Sequence, residues 1–141
     1  MKVEPYLWGF NGRCEEAIEF YKKAIGAEVQ MMMRFGEMPD QGDCGEGPKP
    51  PADKIMHASL KVGDGVMMLS DGQCREPGAA PKFEGISLSL NPATEAEANK
   101  IFDGLKDGGQ ITMPLTKTFW SPCFGMLIDR FGVAWMINVV P

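Results

Sequence analysis

Two apolar runs near the end of the chain, residues 123–128 and 133–139, are joined by Asp129-Arg130-Phe131-Gly132. A glycine closing a four-residue connection suits a backbone position with positive φ, so the stretch predicts a β-hairpin. Upstream, the hydrophobic pattern switches between a period of two and a period of three to four. Residues 5–10 form a short aromatic and apolar run, a predicted first strand. After it, Cys14, Ala17, Ile18, Tyr21 and Ile25 recur at helical spacing, with Glu15, Glu16, Glu19, Lys22 and Lys23 on the opposite face. This predicts an amphipathic helix capped by Asn11 and stopped by Gly26. Residues 27–35 read as a methionine-rich strand. Residues 54–62 and 66–71 are two strands turned by Gly63-Asp64-Gly65. In the first of these, Ala58, Leu60 and Val62 alternate with His57, Ser59 and Lys61, giving one apolar and one polar face.

Residues 85–90 alternate in the same way, Ile86, Leu88 and Leu90 against Ser87 and Ser89. Thr94-Glu95-Ala96-Glu97 is a capping box. It opens a second helix with an apolar stripe at Ala98, Ile101, Phe102 and Leu105, ended by Gly108-Gly109. Residues 110–113 make a short strand before the closing hairpin. The order is thus β-α-β-β-β twice, over about residues 1–71 and 84–141, with a loop at 72–83. Repetition at this scale predicts two modules that complete one another's core within one domain spanning residues 1–141. The expected fold class is α+β, two βαβββ modules forming a curved, mostly antiparallel sheet around a cavity.

Between the second and third strands lies a long connection, residues 36–53, with Pro39, Pro48, Pro50 and Pro51 and the acids Glu37, Asp40, Asp43 and Glu46. It admits two readings, a lid over a pocket or a mobile surface loop. A net charge of -5 without clustered Lys or Arg argues against nucleic acid as a partner. The N-terminus lacks a long apolar stretch and no run reaches membrane-spanning length, so a cytoplasmic protein without membrane partners is expected. The four cysteines, Cys14, Cys44, Cys74 and Cys123, lie far apart and form no C-x-x-C pair. They read as reduced thiols, Cys14 and Cys123 in the core and Cys44 in an exposed loop.

Several segments carry a resemblance to a known family: PYLWGFNGRCEEAIEFYKKAIGAEVQMMMRFGEMP at 5–39, KIMHASLKVGD at 54–64, MMLSD at 67–71, PLTKTFW at 114–120 and FGMLIDRFGVAWMINV at 124–139. Together they resemble the PhnB-like branch of the vicinal oxygen chelate superfamily, which includes glyoxalase I, extradiol dioxygenases, and fosfomycin- and bleomycin-resistance proteins. The resemblance covers essentially the whole chain. It implies two βαβββ modules, an internal pocket and a homodimer. Metal-dependent members place His, Glu or Gln on the first and fourth strands of each module. By resemblance those positions fall at about Tyr6, Met68, Gly85 and Met136, none a usual ligand for a divalent transition metal. A metal centre is therefore not expected, and no cofactor is predicted. A methyltransferase label attached to this branch finds no support, since Gly63-Asp64-Gly65 joins two strands and opens no helix.

What remains is the predicted cavity wall. With Leu60, Val62, Ile86, Leu88, Trp135 and Ile137 against the helices, alternation turns Tyr6, Trp8, His57, Ser59, Met68, Ser70, Ser87, Ser89, Met136 and Asn138 inward. Trp120, in the loop before the last hairpin, is expected to close one end. Among these, Tyr6, Trp8, His57, Ser59, Met68, Ser87, Trp120 and Met136 are the candidate ligand-binding residues. His57, the only histidine, is the candidate catalytic group, and Asp71 has two readings, orienting His57 or pairing with Lys117. Two functions follow. The first is a metal-independent protein that sequesters a small, polar or cationic molecule, as bleomycin-resistance proteins do by resemblance. The second is an isomerase- or lyase-type enzyme that transfers protons through His57 or a carboxylate.

Overall fold

A computed structural model of the chain describes residues 1–37, 50–72 and 79–141. The order is β1 (Tyr6–Trp8), α1 (Cys14–Ile25), β2 (Glu28–Arg34), β3 (Ile55–Val62), β4 (Gly65–Ser70), β5 (Leu88–Leu90), α2 (Glu95–Lys106), β6 (Gln110–Thr116), β7 (Cys123–Ile128) and β8 (Ala134–Val139). A short 3-10 turn, Phe35–Glu37, follows β2. This is the α+β fold of two βαβββ modules. The proposed lid falls largely on residues 38–49, and Cys44 and Cys74 fall with it and with 73–78, outside the described residues. The chain forms two compact units, Met1–Lys22 with Gly26–Pro81, and Lys23–Ile25 with Lys82–Pro141.

In the first unit the strands lie in the order β1-β4-β3-β2. β1 runs parallel to β4 and the other two pairings are antiparallel. Leu7, Ala58, Leu60, Met67 and Leu69 are buried, as are Cys14, Ala17, Ile18 and Tyr21 along α1. The helix ends as its composition predicts: Gly26 adopts φ 67 and its N–H returns to the Tyr21 carbonyl. Its start differs from the expectation. Asn11 does not cap it; that residue sits at φ 53 and donates its side-chain amide to the Ala79 carbonyl, 2.8 Å away. The cap comes from another strand. Asp71, buried just after β4, accepts the N–H of Gly12 and of Cys14 on Oδ1 at 2.7 and 2.8 Å, and that of Ile55 on Oδ2 at 2.8 Å. A carboxylate there meets free amides and the positive end of the helix dipole together.

The second unit repeats the plan in the order β5-β8-β7-β6, with β5 parallel to β8. The capping box forms as read: Glu97 N–H donates to Thr94 Oγ1, and the Glu97 carboxylate accepts from Ala93 N–H. After α2 the chain passes close to the sheet, where a Cβ on Gly109 would stand 2.3 Å from the Ile128 carbonyl oxygen. Only glycine fits that approach. Two predicted edges move. β5 begins at Leu88, so Ile86 is exposed and not on the core face, and Ser87 precedes the strand. β6 runs on to Thr116, past Pro114, because it is an edge strand where a missing N–H is tolerated.

Candidate functional site

Alternation along the strands gives each sheet two unlike faces. In the first unit Leu7, Ala58, Leu60, Met67 and Leu69 take the buried face. Cross-strand register then aligns Tyr6, Met68, Ser59 and Met31 as one row over all four strands, on the opposite face. Trp8 pairs with Ser70, and His57 with Met33, in the neighbouring row. Five of the predicted site residues, Tyr6, Trp8, His57, Ser59 and Met68, are therefore brought together on adjacent strands. Tyr6 and Trp8 are exposed, the other three half-buried.

The Tyr6 hydroxyl lies 2.8 Å from His57 Nδ1, and their rings stand 5.4 Å apart. Partial burial pushes the Tyr6 phenol above its ordinary pKa, offset in part by a hydrogen bond with the Ser70 side chain. The phenol thus stays protonated at neutral pH, a hydrogen-bond donor or proton source beside an imidazole. Asp71 does not orient His57. Both its oxygens are committed to backbone amides, as described above.

The second unit carries an equivalent row: Ser89, Met136, Met126 and Met113 are register partners across β5, β8, β7 and β6. The next row holds Asn138, Phe124 and Thr116. Trp120 meets Phe124 edge to face at 5.3 Å and Phe119 at 4.7 Å. Its loop is anchored by Ser121, which sequence reading missed. That buried hydroxyl lies 2.7 Å from the Val139 carbonyl and 2.9 Å from that of Cys123, while Ser121 N–H donates to Thr118 Oγ1. Of the three site residues predicted here, Met136 and Trp120 border this face. Ser87 precedes β5 and is exposed, and the register partner of Met136 is Ser89, also exposed.

The register also revises the four family metal positions. Tyr6 pairs with Met68, and the matching partner of Met136 is Ser89. Gly85, at φ 77, lies before β5. The corrected set is a phenol, two thioethers and a hydroxyl, which does not fit a hard or borderline divalent metal. Among the described residues no group of three or more His, Cys, Asp or Glu is arranged to hold a metal ion.

The turn between β1 and α1 contains Gly9 and Gly12, and a glycine-bearing turn into a helix is where anionic cofactors often sit. Here its amides are taken. The N–H groups of Gly9 and Phe10 donate to the Ser70 carbonyl, that of Asn11 to the Asp71 carbonyl, and those of Gly12 and Cys14 to the Asp71 carboxylate. An anion there would meet a carboxylate and amides that are already bonded. Cys14 supplies no nucleophile either, since burial, with Asp71 beside it, pushes its thiol well up and keeps it protonated. Cys123 is raised too, chiefly by burial.

The family model for 3-demethylubiquinone-9 3-methyltransferase matches residues 1–138. The chain belongs to that family. Protein YjdN of Escherichia coli K12 is 37% identical over 145 residues, 99% of this chain and 96% of its own length. The crystal structure of PA1353 from Pseudomonas aeruginosa is 42% identical over 99% of this chain and 98% of that one, with TM-score 0.82. A PhnB protein from Bacillus cereus is 27% identical over 99% and 100%, with TM-score 0.75. Glyoxalase-related and bleomycin-resistance-type domains share the fold at 15–16% identity. The chain is thus similar to PhnB and has the fold of glyoxalase-related and bleomycin-resistance-type domains. No helix among the described residues is long and apolar enough to cross a membrane.

Proposed function

We propose that this protein binds a small organic molecule without a metal, on the sheet faces opposite its buried ones. The observation that supports this reading is the pair of matching rows, Tyr6–Met68–Ser59–Met31 and Ser89–Met136–Met126–Met113. Four half-buried thioethers, Met68, Met113, Met126 and Met136, beside the hydroxyls of Tyr6, Ser59 and Ser89 make an apolar but adaptable surface, typical of sites that accept varied guests. Its place is the cytoplasm, in keeping with the free thiols Cys14 and Cys123. With a net charge of -5 its partners are not nucleic acids.

A thermal-shift panel of metabolites and antibiotics tests the binding reading. A guest at a hundred times its Kd stabilises the fold by about 2.7 kcal/mol. Protein purified without added metal is expected to be folded, and EDTA to leave its Tm unchanged. A Tm that falls with EDTA, or a panel in which no guest raises it, overturns the reading.

The assembly proposed is a homodimer. Phe119 is 97% exposed and Trp8 62%, and Val29, Met31 and Met32 are exposed along the edge strand β2. Sedimentation velocity at micromolar concentration should show a dimer; a monomer would count against it.

The Tyr6–His57 bond favours a second reading, metal-free proton transfer within a bound guest. In that case the guest is converted on incubation, and His57→Ala lowers the rate of conversion far more than it weakens binding.

A further inference from the structure

We infer that Asn138 reads a hydrogen-bond donor on the guest, and that the subsite in the second unit takes a flat, mainly apolar ring bearing an N–H. This rests on the binding reading above and names the chemistry of its site. The observation is one atom. Asn138 Oδ1 is buried and has no hydrogen-bond partner among the described residues. Buried acceptors in folded proteins are almost always paired, and one left empty carries the full desolvation penalty. Its neighbour Asn91 does not supply a donor there, since the Asn91 side-chain amide is bonded to the Asn138 backbone carbonyl at 3.2 Å.

The surroundings specify the rest of the guest. Asn138 is the register partner of Phe124, whose ring meets Trp120 edge to face. Two residues before it on the same strand face stands Met136, paired with Met126. Aromatic edges and thioethers favour a flat ring, to which they offer quadrupole and sulfur contacts. An unpaired carbonyl oxygen on the same strand as Met136 selects the ring that carries a donor. A site built to accept a hydrogen bond rejects the isostere that lacks the donor far more strongly than an apolar pocket can.

Indole and benzofuran differ by N–H against O at nearly constant shape, and they are the probes. Thermal shift and calorimetric titration of the full chain are expected to show indole binding at least about 10-fold tighter than benzofuran. In Asn138→Leu the two should bind alike, and the unliganded variant should melt no lower than the unaltered protein, because an unmet acceptor has been removed. Three results overturn the inference. Equal affinities in the unaltered protein would show that Asn138 reads nothing on the guest. Binding of neither probe, with another panel compound raising the Tm, would remove the guest class and leave the binding function standing. A Leu variant that melts lower yet keeps the discrimination would make Asn138 a structural residue. Should that variant fail to fold, the indole and benzofuran comparison in the unaltered protein decides the point. Silence of the whole panel would instead fail the binding reading itself.

Discussion

Replacing Trp135 with alanine is expected to destabilise the fold by about 3–5 kcal/mol, while Trp120→Ala costs about 1 kcal/mol. The two tryptophans lie fifteen positions apart in one hairpin region, but their surroundings are opposite. Trp135 is 2% exposed on β8, which has a neighbour on each side. Its indole N–H donates to Asp129 Oδ2 at 2.8 Å. The other oxygen of Asp129 accepts the N–H groups of Phe131 and Val133 at 2.8 and 3.1 Å, which fixes the turn into β8. Alanine at 135 therefore opens a cavity and also strips one partner from a buried carboxylate. Trp120 is 44% exposed and contributes ring edges to Phe119 and Phe124. Its loss removes contacts at the border of the open face, so ligand-induced stabilisation should vanish while the empty protein stays folded. Urea denaturation of the two variants, with and without a guest from the panel, checks the contrast. Equal losses of stability would make Trp120 a core residue.

Which parts of this were legible beforehand follows from the range of the interactions concerned. Period-two and helical patterns are local, and they correctly placed Leu60, Trp135 and Ile137 on the buried side of their strands. Gly26 and the Thr94–Glu97 box act within one helical turn, and both ends were read correctly. The start of α1 differs from its local pattern because its cap, Asp71, comes from the end of β4, 57 residues from Cys14. No local pattern carries that information. Alternation that continues through Ile86 predicts a longer β5 than forms, because pairing with β8 starts only at Leu88. The candidate site divides in the same way. Parity was enough to put Tyr6, His57, Ser59 and Met68 on one face. The bond between Tyr6 and His57, the replacement of Gly85 by Ser89 opposite Met136, and the empty acceptor on Asn138 all depend on register and side-chain reach. The anchoring Ser121 had a partial signal, a serine three residues after Thr118 at the foot of a hairpin, the spacing at which a hydroxyl accepts the N–H of residue i+3 as at a helix N-cap.

Asp71 should be the most sensitive polar residue of the first unit. It is 1% exposed and holds three segments at once: the turn before α1 through Gly12, the first residue of the helix through Cys14, and the start of β3 through Ile55. Asp71→Ala leaves three backbone N–H groups without their acceptor, each worth about 1–3 kcal/mol when buried. Since the three share one side chain the losses do not simply add, and about 3–5 kcal/mol is expected overall. Asp71→Asn is the sharper test. An amide has the same shape but one acceptor oxygen, so its NH₂ must point at either the Ile55 N–H or the pair from Gly12 and Cys14. Two donors then face each other, and the helix N-terminus loses its negative charge. This nearly isosteric change should still cost at least about 2 kcal/mol by urea denaturation. Hydrogen exchange should quicken first at the amides of Gly12, Cys14 and Ile55. An Asn variant as stable as the unaltered protein would show that the carboxylate does not bridge these segments, and that α1 is held to its sheet by apolar packing alone.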